Sequence, residues 1–162
     1  TGYEFKGPAA VRYPRGNGPG EEIEENDCTI ELGKSSLVKS STKKDIALLT
    51  FGSSLETAFD IASELDATVV DMNFVKPLDT QIIHELSLDH KLLVTLEVNA
   101  IKGGAGSAVS EYVSNANIKT SLLTFGLPDE FINHGEPNQQ LINNGLGKNE
   151  ILKTIKKRAK EI

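Results

Sequence analysis

The chain has 162 residues, 38% apolar and 25% charged, with a formal net charge of −6, the composition of an ordinary soluble globular domain. The excess of 23 Asp and Glu over 17 Lys and Arg repels a polyphosphate backbone and argues against nucleic acid as a partner. No apolar run approaches the roughly 20 residues needed to cross a bilayer, and the single cysteine, Cys28, cannot form an internal disulfide, so a reduced, cytoplasmic setting without membrane contact is expected.

Residues 1–20 hold three of the six prolines and one short apolar stretch, Ala9 to Tyr13, able to form a strand. The chain opens at Thr1 on TGYEFKG, which lacks the apolar core of a signal peptide, and this reads as a processed chain or a piece of a longer one. Residues 21–28 follow as an acidic linker, with Glu21, Glu22, Glu24, Glu25 and Asp27 placing five acids within seven residues. The domain proper is expected over residues 29–162.

Within it, Glu31–Ser41 reads as an extra edge strand. Four short apolar runs, Ile46–Phe51, Thr68–Met72, Leu92–Leu96 and Ser121–Phe125, have the length and continuity of strands buried on both faces. Between them lie helical patterns. Leu55, Ala58, Phe59, Ala62 and Leu65 recur at helical spacing behind a Ser53/Glu56 capping box. Asp79 caps a second helix carrying Ile82, Ile83 and Leu86, and Ser107 opens a third with Val109, Tyr112 and Val113. After the last strand only helices remain. Pro137 opens one that ends near Gly145, and Ile151, Ile155, Ala159 and Ile162 form the stripe of a final one whose Lys156, Lys157, Arg158 and Lys160 suit a helix C-terminus. Strand–helix alternation at this spacing predicts right-handed crossovers. The expected fold class is α/β, three layers, with a mainly parallel five-stranded sheet and helices on both faces.

Catalytic constellations are scarce. His84, His90 and His134 are the only histidines, none shares a helical face with another, and Cys28 has no local metal-ligand partner, so no metal site is expected. His90, opening the strand HKLLVTLE, reads as a packed or capping residue. The segment Gly103-Gly104-Ala105-Gly106-Ser107, after a strand and before a helix, offers free N–H groups to an anion or simply a tight turn with close helix–sheet packing. It lacks the Lys-Ser/Thr of a P-loop and the full G-x-G-x-x-G spacing, which favours the turn. With Gly52, Ser53, Glu97 and Asn99 it would lie at the carboxyl ends of the strands, where open parallel sheets bind ligands. Arg12-Tyr13-Pro14-Arg15-Gly16 is the remaining candidate: two guanidiniums flanking a ring, either an anion clamp or a solvated surface pair.

Four ordered motifs weigh on that choice: PAAVRYPRGNG from Pro8, VDMNFVKPLD from Val70, AIKGGAGS from Ala100 and GLPD from Gly126. Together they resemble the C-terminal third of the 1-deoxy-D-xylulose-5-phosphate synthase family, relatives of transketolase, over essentially the whole chain. Asn73, where the family pattern has Arg, and Val98, where it has a second Glu after Glu97, depart from it. The resemblance implies a transferase that uses thiamine diphosphate and Mg²⁺ to decarboxylate pyruvate and join the two-carbon unit to D-glyceraldehyde 3-phosphate, in non-mevalonate isoprenoid, thiamine and pyridoxol biosynthesis. It implies a homodimer with three α/β domains, of which residues 1–20 are the tail end of the pyrimidine-binding domain and 29–162 the C-terminal domain. By the same resemblance Arg15 holds the phosphate of glyceraldehyde 3-phosphate and Arg12 has a structural role. Cofactor-binding, metal-binding and catalytic residues are expected upstream of this chain, leaving the piece inactive by itself and the glycine-rich turn structural or part of a subunit contact.

Overall fold

A computed structural model describes residues 1–14 and 29–162. In chain order the elements are β1 (Ser36–Lys39), β2 (Ile46–Phe51), α1 (Leu55–Leu65), β3 (Thr68–Asp71), α2 (Thr80–Asp89), β4 (Leu92–Ala100), α3 (Ala105–Asn115), β5 (Ser121–Leu127), α4 (Pro137–Asn143) and α5 (Lys148–Arg158). They build one five-stranded sheet of order β1-β3-β2-β4-β5, parallel except for β1, which runs antiparallel to β3 at one edge.

Every residue of β2 is buried, and strict alternation sends its side chains to two separate cores. Ile46 and Leu48 join Val69, Leu92, Val94 and Leu96 under α1 and α5. Ala47, Leu49 and Phe51 join Val70 and Leu93 under α2 and α3. This is why the central strands read as unbroken apolar runs, and why the helix stripes of Ala58, Ile61 and Ala62 and of Ile151, Leu152 and Ile155 fall on one side of the sheet. The expected three-layer arrangement therefore holds. Each fully buried Leu or Ile of this kind contributes on the order of 2 kcal/mol by its removal from water.

Several local expectations are corrected. Ala9–Tyr13 pairs with no strand among the described residues and is not itself one, since strand character needs a ladder partner. Ser53 does not cap α1. A single 3-10 turn, Gly52–Ser54, precedes that helix, and the residue at the cap position is Ser54, whose hydroxyl is drawn inward to donate to the Leu96 carbonyl (2.8 Å). Exposed Ile162 does not complete the α5 stripe, because the helix ends at Arg158. Asp79 caps α2 as expected, accepting from the Ile82 N–H at 3.3 Å, and also from the Ser35 N–H and hydroxyl, both at 2.9 Å. Burial works to raise this carboxyl, but those three hydrogen bonds prevail and hold it below the usual aspartate range.

His90 is buried, as its place before β4 suggested. Its Nδ1 lies 3.1 Å from the Leu86 carbonyl, which can only accept, so Nε2 accepts from the Thr68 hydroxyl at 2.8 Å. The Thr68 oxygen in turn accepts from the Ser41 N–H. Burial lowers the His90 pKa below 6.5, so this bridge between α2, β3 and the β1–β2 connection is built for the neutral ring.

Candidate functional site

The carboxyl ends of β2 and β4 face the turn that starts α3, and one acidic residue organises the region. Glu97 is only 4% exposed. Its Oε2 accepts from the Ala105 N–H (2.9 Å) and its Oε1 from the Gly106 N–H (2.8 Å). A helix start leaves its first N–H groups without intrahelical partners and carries positive potential. Here a carboxylate from the neighbouring strand fills that place, so the anion that the glycine-rich segment binds is supplied by the chain itself.

The glycines follow from this clamp. A Cβ on Gly104 would lie 2.5 and 2.6 Å from the two Glu97 oxygens, and one on Gly106 would lie 2.6 Å from Thr95 Oγ1, closer than real Cβ atoms come. Gly103, at φ 72°, takes the left-handed conformation that turns the chain into α3. Ser107 closes the loop by donating to the Ile101 carbonyl (2.8 Å) and accepting from the Gly103 N–H (3.0 Å). Thr95 Oγ1, buried beneath Gly106, has no hydrogen-bond partner.

A second corner is set by Asn73. It adopts a left-handed φ of 54°, which asparagine tolerates better than most residues. Its side-chain amide donates to the Lys34 carbonyl (3.1 Å) and to Ser36 Oγ (3.0 Å), tying the β3–α2 connection to the start of β1. The short amide makes contacts suited to that tight corner.

Beside the clamp, Ser53, Thr57, Glu97, Val98, Leu141 and Leu146 line a small cleft between the strand ends and the α4–α5 segment. The residues expected at this edge do assemble there, with Gly52, Ser53, Asn99 and Gly103 exposed and Glu97 buried. The start of α3 is occupied by Glu97, and among the described residues no three His, Cys, Asp or Glu side chains gather into a metal-binding group. His84 and His134 are exposed.

Arg12 reaches this edge from the N-terminal segment. Its Nη2 donates to the Val98 carbonyl at 2.7 Å, and elsewhere in the same segment the Thr1 hydroxyl donates to the Ile30 carbonyl and accepts from the Ile30 N–H. Arg15, the predicted substrate contact, and the acidic linker 21–28 lie outside the described residues.

Comparison with known families decides the class of this arrangement. The family described as "Transketolase, C-terminal domain" matches residues 33–151. The chain belongs to that family. The transketolase C-terminal domain thus accounts for the sheet, the clamp and the α4–α5 segment together. Among curated relatives, the 1-deoxy-D-xylulose-5-phosphate synthase of Nitrosomonas europaea is 49% identical over 98% of this chain, and that of Hahella chejuensis is 48% identical over all of it. The chain spans about a quarter of the length of these relatives, 25% in both cases. A solved split-gene transketolase, an inactive β4 tetramer, superposes with a TM-score of 0.74 at 27% identity, covering 85% of this chain and 46% of its own. No helix among the described residues is long and apolar enough to cross a membrane.

The structural importance of Glu97 was not legible beforehand, although a signal existed. It is the one charged residue closing the apolar run LLVTLE, eight positions before the helix start that it caps.

Proposed function

We propose that this chain is the C-terminal part of a 1-deoxy-D-xylulose-5-phosphate synthase, the enzyme that decarboxylates pyruvate and joins the two-carbon unit to D-glyceraldehyde 3-phosphate. The observation that carries the reading is 49% identity to a synthase of that name along 98% of the chain. Thiamine diphosphate and Mg²⁺ are bound by the rest of the protein. The start of α3 is already filled by the chain's own Glu97.

In this reading residues 1–20 close the pyrimidine-binding domain, 21–28 link it onward and 29–162 form the transketolase C-terminal domain of a cytoplasmic homodimer. Arg15 is the substrate-binding residue. Its guanidinium presents a rigid fork that matches a phosphate, and its contribution is to orient the acceptor so that the aldehyde carbon meets the activated two-carbon unit. The decisive test is to assay the parent protein with pyruvate and glyceraldehyde 3-phosphate. In the same protein Arg15→Ala raises KM for glyceraldehyde 3-phosphate while pyruvate decarboxylation is little affected; equal loss of both half-reactions refutes the assignment. A second reading, a subunit of a split transketolase, is favoured by the 27% identical solved structure. It is distinguished by turnover of a ketose phosphate donor in place of pyruvate.

A further inference from the structure

We propose that the free edge of β5 is a docking surface for a second copy of this chain, joined by a two-fold, antiparallel β5–β5 pairing that extends the sheet. The inference goes beyond the function proposed above, which names a homodimer and no surface for it, and it draws nothing from the reaction. A sheet edge presents a row of unpaired N–H and C=O groups, and proteins blunt such edges with short strands, bulges, lysine or proline. The β1 edge is blunted in this way: it has four residues, a register shift between Leu37 and Lys39, and a lysine at its end. The β5 edge is not. Its seven residues, SLLTFGL, contain no charge and no proline and are half-buried throughout, and among the described residues no strand lies beyond them.

The direction of the free groups follows from β4. The Leu127 carbonyl accepts from the Ile101 N–H at 2.8 Å, so Leu127 turns its main-chain groups toward β4, and alternation along the strand turns those of Leu122, Thr124 and Gly126 outward. An edge that meets its own copy about a two-fold axis must be self-complementary. The antiparallel register that overlaps all seven residues is centred on Thr124. It sets Thr124 opposite Thr124 and Leu122 opposite Gly126, so that outward main-chain groups meet outward main-chain groups at every such pair. Leu123 and Phe125, which pack toward the core under α1 and α5, then lie opposite each other across the two copies, an aliphatic–aromatic pair of the kind that stabilises sheets. Charge agrees with the same register. Lys119 and Asp129 flank the strand and are both exposed, and the centring brings Lys119 of one copy and Asp129 of the other to each end of the ladder. Within its own chain Asp129 has only a loose pair with Lys102, at 3.9 Å.

The experiment follows the 162-residue chain by analytical ultracentrifugation and by amide exchange as its concentration rises. One strand pair covers less than a standard interface, so a reversible dimer with a Kd of about 10 to 100 μM is expected. The amides of Leu122, Thr124 and Gly126 should gain protection with dimer formation, while those of Leu123 and Phe125, which face β4, are protected at every concentration. Lys119→Glu and Asp129→Lys should each weaken the dimer about tenfold, because two attractive pairs become repulsive, and the Lys119→Glu/Asp129→Lys double variant should return to near the parent value. Thr124→Pro removes an outward donor and none of the bonds to β4, and should abolish association; if it does not fold, the charge-reversal series carries the same test. A chain still monomeric at about 1 mM, a dimer whose Leu122, Thr124 and Gly126 amides stay open, or one indifferent to the single reversals overturns the inference. None of these results touches the synthase reading, which stands on identity with the relatives.

Discussion

Replacing Glu97 by glutamine tests whether the β4–α3 clamp holds this edge together. The change keeps size and shape but turns one acceptor oxygen into an NH₂ group. Both Glu97 oxygens are in use, at 2.9 Å from the Ala105 N–H and 2.8 Å from the Gly106 N–H, so whichever way the amide turns, a donor faces a donor in a site 4% exposed. One buried N–H loses its partner, which costs about 1–3 kcal/mol, and the favourable charge at the helix start, about 0.3–1 kcal/mol or more when buried, goes with it. Relief of the cost of burying a carboxylate offsets part of this, which leaves a net loss of about 2 kcal/mol. For a chain of this size that lowers Tm by about 4–8 °C. Thermal and urea unfolding followed by circular dichroism measure it, and amide exchange localises it, with Ala105 and Gly106 expected to lose protection first. A glutamine variant within about 0.5 kcal/mol of the parent, with those amides still protected, would refute the clamp as the organiser of this edge.

Stability is expected to fall as pH drops below about 6.5 because of His90. Its pKa in the folded chain is held below 6.5, first by burial, so the unfolded chain binds more protons in that interval; the loss saturates below the folded-state pKa. His90→Gln should remove that component of the pH profile, and an unchanged profile would exclude the bridge to Thr68 as its source. Thr95→Val replaces a buried hydroxyl without a partner by a methyl of the same shape, and is expected to raise stability by about 1 kcal/mol in urea unfolding; a comparable loss would mean that the hydroxyl is hydrogen-bonded after all. Gly106→Ala would push a Cβ to 2.6 Å from Thr95 Oγ1 and 3.2 Å from Glu97 Oε1 and should cost about 1–3 kcal/mol. Truncating Thr95 to alanine as well should recover part of that loss, and strict additivity of the two changes would argue against the close approach.

The layers of this fold were readable because the cause of burial and the cause of pattern are the same. A strand covered on both faces has no exposed side to mark with polar residues, so β2 and the first half of β4 appear as continuous apolar runs. Asp79 was legible for a similarly local reason, since a cap acts within three residues of itself. The errors fall where a contact from elsewhere in the chain decides the outcome. Ser53 and Ser54 offer α1 the same hydroxyl, and what distinguishes them is the Leu96 carbonyl 42 residues away from Ser54. The helix expected to open at Ser107 starts at Ala105, because Glu97 satisfies N–H groups that a glycine-rich sequence seems to leave open.

The same distinction governs the site. A helix start after a strand is a generic anion position, and nothing local to Gly103–Ser107 says whether its anion is a ligand or a side chain; the answer lies in a glutamate eight residues back. Once Glu97 is in place, the Ala105 and Gly106 N–H groups are taken, and what the clamp holds still is the peptide next to it, at Val98. Arg12 reads that peptide through its carbonyl, at 2.7 Å, so the contact between the N-terminal segment and this edge is made through backbone geometry. A contact to the main chain leaves little trace in the side chain at position 98, and residue types alone do not reveal it.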